Sequence, residues 1–80
     1  MTIEAIRKLH EAQPFRPFDI VVADGSRIHV PHPEFLAHPG KGRTVVAFDQ
    51  TGSFKVIDLL LVTHLEVAVN GRSHRRRRAG

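Results

Sequence analysis

Along the first dozen residues the apolar positions Ile3, Ile6 and Leu9 recur at helical spacing while Glu4, Arg7, Lys8 and Glu11 occupy the other face. This pattern predicts an amphipathic helix with one apolar stripe, a helix whose role is to cover something. Thr2 is placed to cap it, with Glu4 in the first turn against the positive end of the dipole. Glu4 and Lys8 are spaced to pair, and Pro14 ends the helix.

From Phe18 the period changes to two: Phe18, Ile20 and Val22 alternate, and Ile28 and Val30 follow an Asp24-Gly25 turn, which predicts a hairpin. A two-residue loop would set Val22 against Arg27 and Ile20 against His29. A three-residue loop, Ala23-Asp24-Gly25 with Gly25 in the left-handed region, pairs Ile20 with Ile28 and Phe18 with Val30, so the hydrophobic register selects the bulged turn. The same arithmetic around Gln50-Thr51-Gly52 places Phe48 opposite Phe54, Val46 opposite Val56 and Thr44 opposite Asp58. Between the hairpins, prolines at 31, 33 and 39 exclude a central strand, while Pro33 to Ala37 suits a helical turn begun by proline, with Phe35 and Leu36 plugging one end of the core. Asp58-Leu59-Leu60-Leu61 interrupts the alternation as a 3₁₀ turn, and Leu65, Val67 and Val69 resume it in a fifth strand.

The predicted inner face is Phe18, Ile20, Val22, Ile28, Val30, Val46, Phe48, Phe54, Val56, Leu65, Val67 and Val69, and a sheet must curl to bury it. The fold class is therefore mostly β with an N-terminal α-helix: a small, strongly bent, five-stranded antiparallel sheet or barrel over residues 1–70. The second hairpin is also apolar on its opposite side, through Val45, Ala47 and Ile57, as is Val21 in the first. Part of the outer surface thus needs a cover, from the helix or from a partner subunit.

Eighty residues without cysteine make one domain with no disulfide, zinc-thiolate or thiol chemistry. The net charge of +4 changes meaning once located, because residues 1–70 hold seven basic and eight acidic side chains while Arg72, Arg75, Arg76, Arg77 and Arg78 stand in 71–80 without a carboxylate. That segment has no apolar residue larger than Ala, so a disordered Arg-rich tail is expected. Five guanidiniums on phosphates would release roughly four counterions, giving salt-dependent, sequence-blind affinity for RNA or DNA. A solubilising tail is the plain alternative. No stretch approaches the ~20 apolar residues of a membrane span, and Glu4 stands where an export signal needs positive charge, so the expected compartment is the cytoplasm.

The helix at Thr2 to Leu9, the hairpin around Ala23-Asp24-Gly25, and the turn and closing strand from Leu59 to Val69 resemble the small five-stranded barrels of the SH3 and Sm type, Sm-like RNA-binding proteins in particular. The resemblance covers residues 2–69 and implies a barrel that pairs edge strands into rings. The family's RNA-binding residues do not carry over: the loop after Val30, which reads Pro31-His32-Pro33-Glu34-Phe35, lacks the pairing of an aromatic with an Asn, and His64 follows Thr63 rather than Lys. The segments Pro14 to Phe18, His32 to Phe35 and Ile57 to Thr63 also resemble a group of short bacterial proteins of uncharacterised role.

Few side chains suggest chemistry. His29, His32 and Glu34 could converge on zinc or nickel, but His29 belongs to the outward parity and the prolines leave His32 undirected, so no metal and no cofactor is expected. His38, His64 and His74 read as surface residues. Ser26, Ser53 and Ser73 have no base held nearby, and Asp19, Asp49 and Asp58 suit turn and strand-end roles, so no enzyme is expected. Gly40-Lys41-Gly42-Arg43 lacks the strand-to-helix setting of a phosphate loop. The sequence therefore points to a non-enzymatic module that binds nucleic acid through the tail arginines, with Lys41 and Arg43 as additions, and that self-associates through strand edges. The alternative is a protein-interaction or assembly module.

Overall fold

The computed structural model describes residues 1–39 and 41–67. The tail arginines, Val69 and the expected end of the domain at Asn70 lie outside them. Helix α1 spans Ile3–His10, and the Thr2 hydroxyl accepts from the Ala5 amide at 3.3 Å as a cap, an interaction worth about 1 kcal/mol. Ile3 and Ile6 are buried in the core and Leu9 packs against it, so the helix covers the sheets as its stripe requires. Glu4 meets Arg7, at 4.0 Å, in place of the expected Lys8.

Strands β1 (Phe18–Val22) and β2 (Arg27–Val30) form the first hairpin, with Phe18 opposite Val30 and Ile20 opposite Ile28. Gly25 carries φ +92°, the left-handed conformation that the bulged turn requires. A 3₁₀ turn at Pro33–Phe35 leads into the two-residue strand β3 (Leu36–Ala37). Strands β4 (Thr44–Phe48) and β5 (Phe54–Asp58) pair in the expected register, Phe48 with Phe54 and Val46 with Val56, around Gly52 at φ +94°. A second 3₁₀ turn, Leu59–Leu61, capped by the Asp58 carboxylate, precedes β6 (Val62–Val67), which returns antiparallel to β1.

The described strands number six rather than five, because β3 forms its own short ladder with β4. They make two three-stranded antiparallel sheets, ordered β2-β1-β6 and β3-β4-β5. No ladder joins the two sheets among the described residues, so the arrangement is two sheets around a shared core rather than a closed barrel. No helix among these residues is long and apolar enough to cross a membrane.

The second hairpin turns the opposite face to the core from the one its large side chains predict. Val45, Ala47 and Ile57 are buried, whereas Phe48, Phe54 and Val56 are exposed and Val46 is half-buried. The cause lies in β3. Residues directly opposite on neighbouring strands share a face, and Leu36, buried in the core, stands opposite Ala47. Once Leu36 points inward, Ala47 must follow, and with it Val45 and Ile57, while Lys55, of the same parity nearer the hairpin tip, reaches solvent. The first sheet keeps the expected parity, with Phe18, Ile20 and Val30 buried and Ile28, Leu65 and Val67 packed at the margin.

Candidate functional site

The inverted hairpin leaves a nonpolar surface in solvent. Phe54 is 61% exposed, Val56 63%, Leu60 66% and Leu61 54%, with Phe48 at 38%. The Phe48 and Phe54 rings touch across the strands at 6.1 Å. Val56 and Leu61 line one cleft together with Ile28 and Lys55, which carries the surface from β5 into the 3₁₀ turn. Single exposed apolar residues need no explanation, but five within β4, β5 and the turn that follows do.

The edge of β5 adds directional chemistry to this surface. The bonds Asp49 N to Ser53 O and Leu59 N to Arg43 O, at 2.9 and 2.7 Å, bracket the β4–β5 ladder. By the alternation of antiparallel pairs, Lys55 and Ile57 bond to β4 while the amides and carbonyls of Phe54, Val56 and Asp58 point away from it. β5 has no hydrogen-bonded strand neighbour on that side among the described residues, and Ile28 of β2 stands across a cleft from Lys55 and Val56. At the hairpin tip a cleft of about 560 Å³ lies between Phe48 and Phe35, with His29, Pro31, Gln50 and Thr51 on its rim. Phe15 is half-buried, its ring 6.0 Å from that of Phe18.

The outward face of the first sheet is ionic. Asp19, in the central strand, is only 5% exposed. It takes hydrogen bonds from His29 Nδ1 at 2.7 Å and from Arg27 at 3.3 Å. Asp19 stands opposite Glu66 across the β1–β6 ladder, and Arg27 bridges the two carboxylates, reaching Glu66 at 2.8 Å. His64 Nε2 is 2.8 Å from the other Glu66 oxygen. Arg27 first, and His64 second, hold the Glu66 carboxyl down to about 2, and Glu66 in turn raises the Arg27 guanidinium. The turn carboxylates also lie below their ordinary range, Asp24 through the Ser26 amide and hydroxyl, and Asp49 through the Thr51 hydroxyl and amide. Burial pushes the His38 imidazole down, assisted by the nearby His10.

These shifts fix a pH dependence. A lowered imidazole means that the unfolded chain takes up the proton first, so His38 removes stability as pH falls below its ordinary value of 6.5. Glu66 contributes fully above its ordinary 4.5 and loses that contribution as pH falls from there toward about 2. Thermal melts are therefore expected to be flat above neutrality and to decline below about pH 6.5, a decline that the substitution His38→Gln abolishes. A second decline, sensitive to Glu66→Gln, begins only in the acid range where carboxylates protonate.

Of the residues singled out from the sequence, Arg43 sits 3.4 Å from Asp58 and Lys41 is exposed in the segment before β4. Arg72, Arg75, Arg76, Arg77 and Arg78 lie outside the described residues. His29, His32 and Glu34 do not converge: His29 is bound to Asp19 and His32 lies against Phe35 at 6.0 Å. Among the described residues no three His, Asp or Glu side chains are grouped to hold a metal ion. The exposed Phe48, Phe54, Val56, Leu60 and Leu61 were missed, and their only signal was that the second hairpin is apolar on both faces. Comparison with protein-family models, curated proteins and solved structures found no match.

Proposed function

We propose that this chain is a non-enzymatic assembly module that docks a second copy of itself through the exposed side of the β4–β5 hairpin. The observation that carries the reading is the joined apolar surface of Phe48, Phe54, Val56, Leu60 and Leu61 beside the open edge of β5. It exposes several hundred Å² of nonpolar side chain, a large part of the roughly 800 Å² that each partner of a stable complex contributes. The edge is also self-complementary. Two β5 strands running antiparallel about Val56 set each Val56 against its own copy and each Phe54 against Asp58, so that every outward amide meets an outward carbonyl. Lys55 is the one charged deterrent in the middle of that edge. Sedimentation equilibrium over a micromolar concentration series tests this: a mass rising above the 9.0 kDa of the single chain supports it, and a constant 9.0 kDa overturns it.

The helix, the two glycine-turned hairpins and the 3₁₀ turn before the last strand support an SH3- or Sm-like relationship for the fold. A second role rests on the five arginines without a carboxylate in 71–80: an arm that holds RNA or DNA by charge in the cytoplasm, with Lys41 and Arg43 adding to it. Removing residues 71–80 is then expected to abolish binding to single-stranded RNA and duplex DNA while leaving the fold and the association intact. For the full chain, log affinity should fall with log salt at a slope of about 3.5 to 4.5. Binding that survives the truncation would remove the arm's role.

A further inference from the structure

His10, in the last turn of α1, and His38, just beyond β3, face each other with ring centroids 4.9 Å apart and planes at 73°. The Nδ1 atom of each ring is buried and has no hydrogen-bond partner. On His10 the tautomer follows from the other nitrogen. Nε2 lies 2.7 Å from the Pro33 carbonyl oxygen, and because a carbonyl only accepts, Nε2 carries the hydrogen and Nδ1 of the neutral ring is a bare lone pair. A buried acceptor without a donor costs free energy and calls for a missing occupant. The Nδ1 of His38, also buried and without a partner, belongs to the ring in contact with that of His10.

We propose that His10 and His38 form a two-histidine site for a divalent transition-metal ion of the zinc class, bound through Nδ1 of each ring, with its other positions open to water or an exchangeable ligand. The ring separation fits. With metal–nitrogen bonds of about 2.0 Å, two imidazoles on a tetrahedral ion have centroids roughly 5 Å apart, close to the separation observed. The His10 Nε2–H to Pro33 carbonyl contact is the outer hydrogen bond that metal-bound histidines characteristically make, and it fixes both tautomer and ring orientation. Imidazole donors without thiolate suit zinc, nickel or copper, and a near-tetrahedral pair favours zinc. Charge around the site is mixed: Glu11, next to His10, favours a cation at His38, and Arg7, one helical turn back, opposes it. With two protein ligands rather than three the affinity belongs in the micromolar range, and the ion would fasten the end of α1 to the segment running from Pro33 to His38.

The test is histidine-tautomer NMR on the full chain, by two-bond ¹H–¹⁵N correlation, with ZnCl₂ as the probe. Before zinc, His10 should show the Nε2–H tautomer. One equivalent should shift the Nδ1 resonances of His10 and His38 and leave those of His29 and His64 in place. Calorimetry should give one site, weakened at least about 100-fold by His10→Gln or His38→Gln and unchanged by His32→Gln. The melting temperature should rise by several degrees at a large excess of zinc over Kd. The proposal is overturned if zinc up to about 1 mM moves neither Nδ1 resonance. It is equally overturned if the two Gln variants bind zinc as the parent does. The NMR arm needs no variant, so a substitution that fails to fold does not rescue the idea.

Discussion

Replacing Val56 by Asp should turn the associating protein into a monomer, weakening association by at least about 100-fold, the equivalent of two or more kcal/mol at an interface centre. The same change should cost the monomer little, because the side chain is 63% exposed and surface substitutions usually stay within about 0.5 kcal/mol. Two further variants separate the parts of the surface. In Val56→Pro the only donor lost is the amide that points away from β4, so the β4–β5 ladder keeps its bonds while an added strand loses its central one. In a Phe48→Ser, Phe54→Ser protein the edge stays intact and the ring pair is gone. If association runs along the edge, the proline variant fails and the double serine variant is weakened; if it runs through the face alone, the order reverses. Sedimentation equilibrium on the three proteins, with far-UV circular dichroism as the check on folding, reads both. Unchanged masses in all three would place the interface elsewhere and remove the docking role of β5.

This surface was hidden in the sequence for a definite physical reason. Local pattern fixes pairing, because glycine turns and matched apolar residues leave one workable register, and both hairpins took it: Phe18 faces Val30, and Phe48 faces Phe54. The capped helix and the two 3₁₀ turns were legible in the same way, since Thr2, Pro33 and Asp58 act on their own neighbours. Which side of a paired hairpin turns inward is a tertiary choice, and a strand apolar on both faces carries no local signal for it. Size favoured the phenylalanines, but Leu36 outweighed them by pulling Ala47 inward through a two-residue ladder too short to read from sequence. The first hairpin escaped this ambiguity because three of its outward residues, Asp19, Arg27 and His29, are polar and only Val21 is not. Even there the alternation showed only that Asp19 faces away from the core, not that it is buried beneath a bridge from Arg27, which depends on β6 bringing Glu66 from 47 residues away. His10 and His38 were invisible as a pair for the same reason, being joined only when α1 folds across the end of β3.

Arg27 should prove the side chain on which the polar face of the first sheet depends. Asp19 and Glu66 are directly opposite across β1 and β6, a like-charge pairing that destabilises a sheet unless a cation stands between them. The Arg27 guanidinium reaches both, at 3.3 and 2.8 Å. Arg27→Met keeps the stem that lies over the sheet but leaves the buried Asp19 facing Glu66 without that cation. The guanidinium side chain is 44% exposed, which discounts the gain from a fully buried ion pair. A fall of several degrees in melting temperature remains, because the partner left behind is the buried Asp19. Asp19→Asn should cost less, because it loses one charge-assisted bond but also ends the carboxylate repulsion. The two losses should not add, since in the double variant Glu66 has no facing carboxylate left to repel. Thermal melts of the two single variants and of the double variant check this: losses that simply add would mean that Arg27 acts through its packing rather than by screening Asp19 from Glu66.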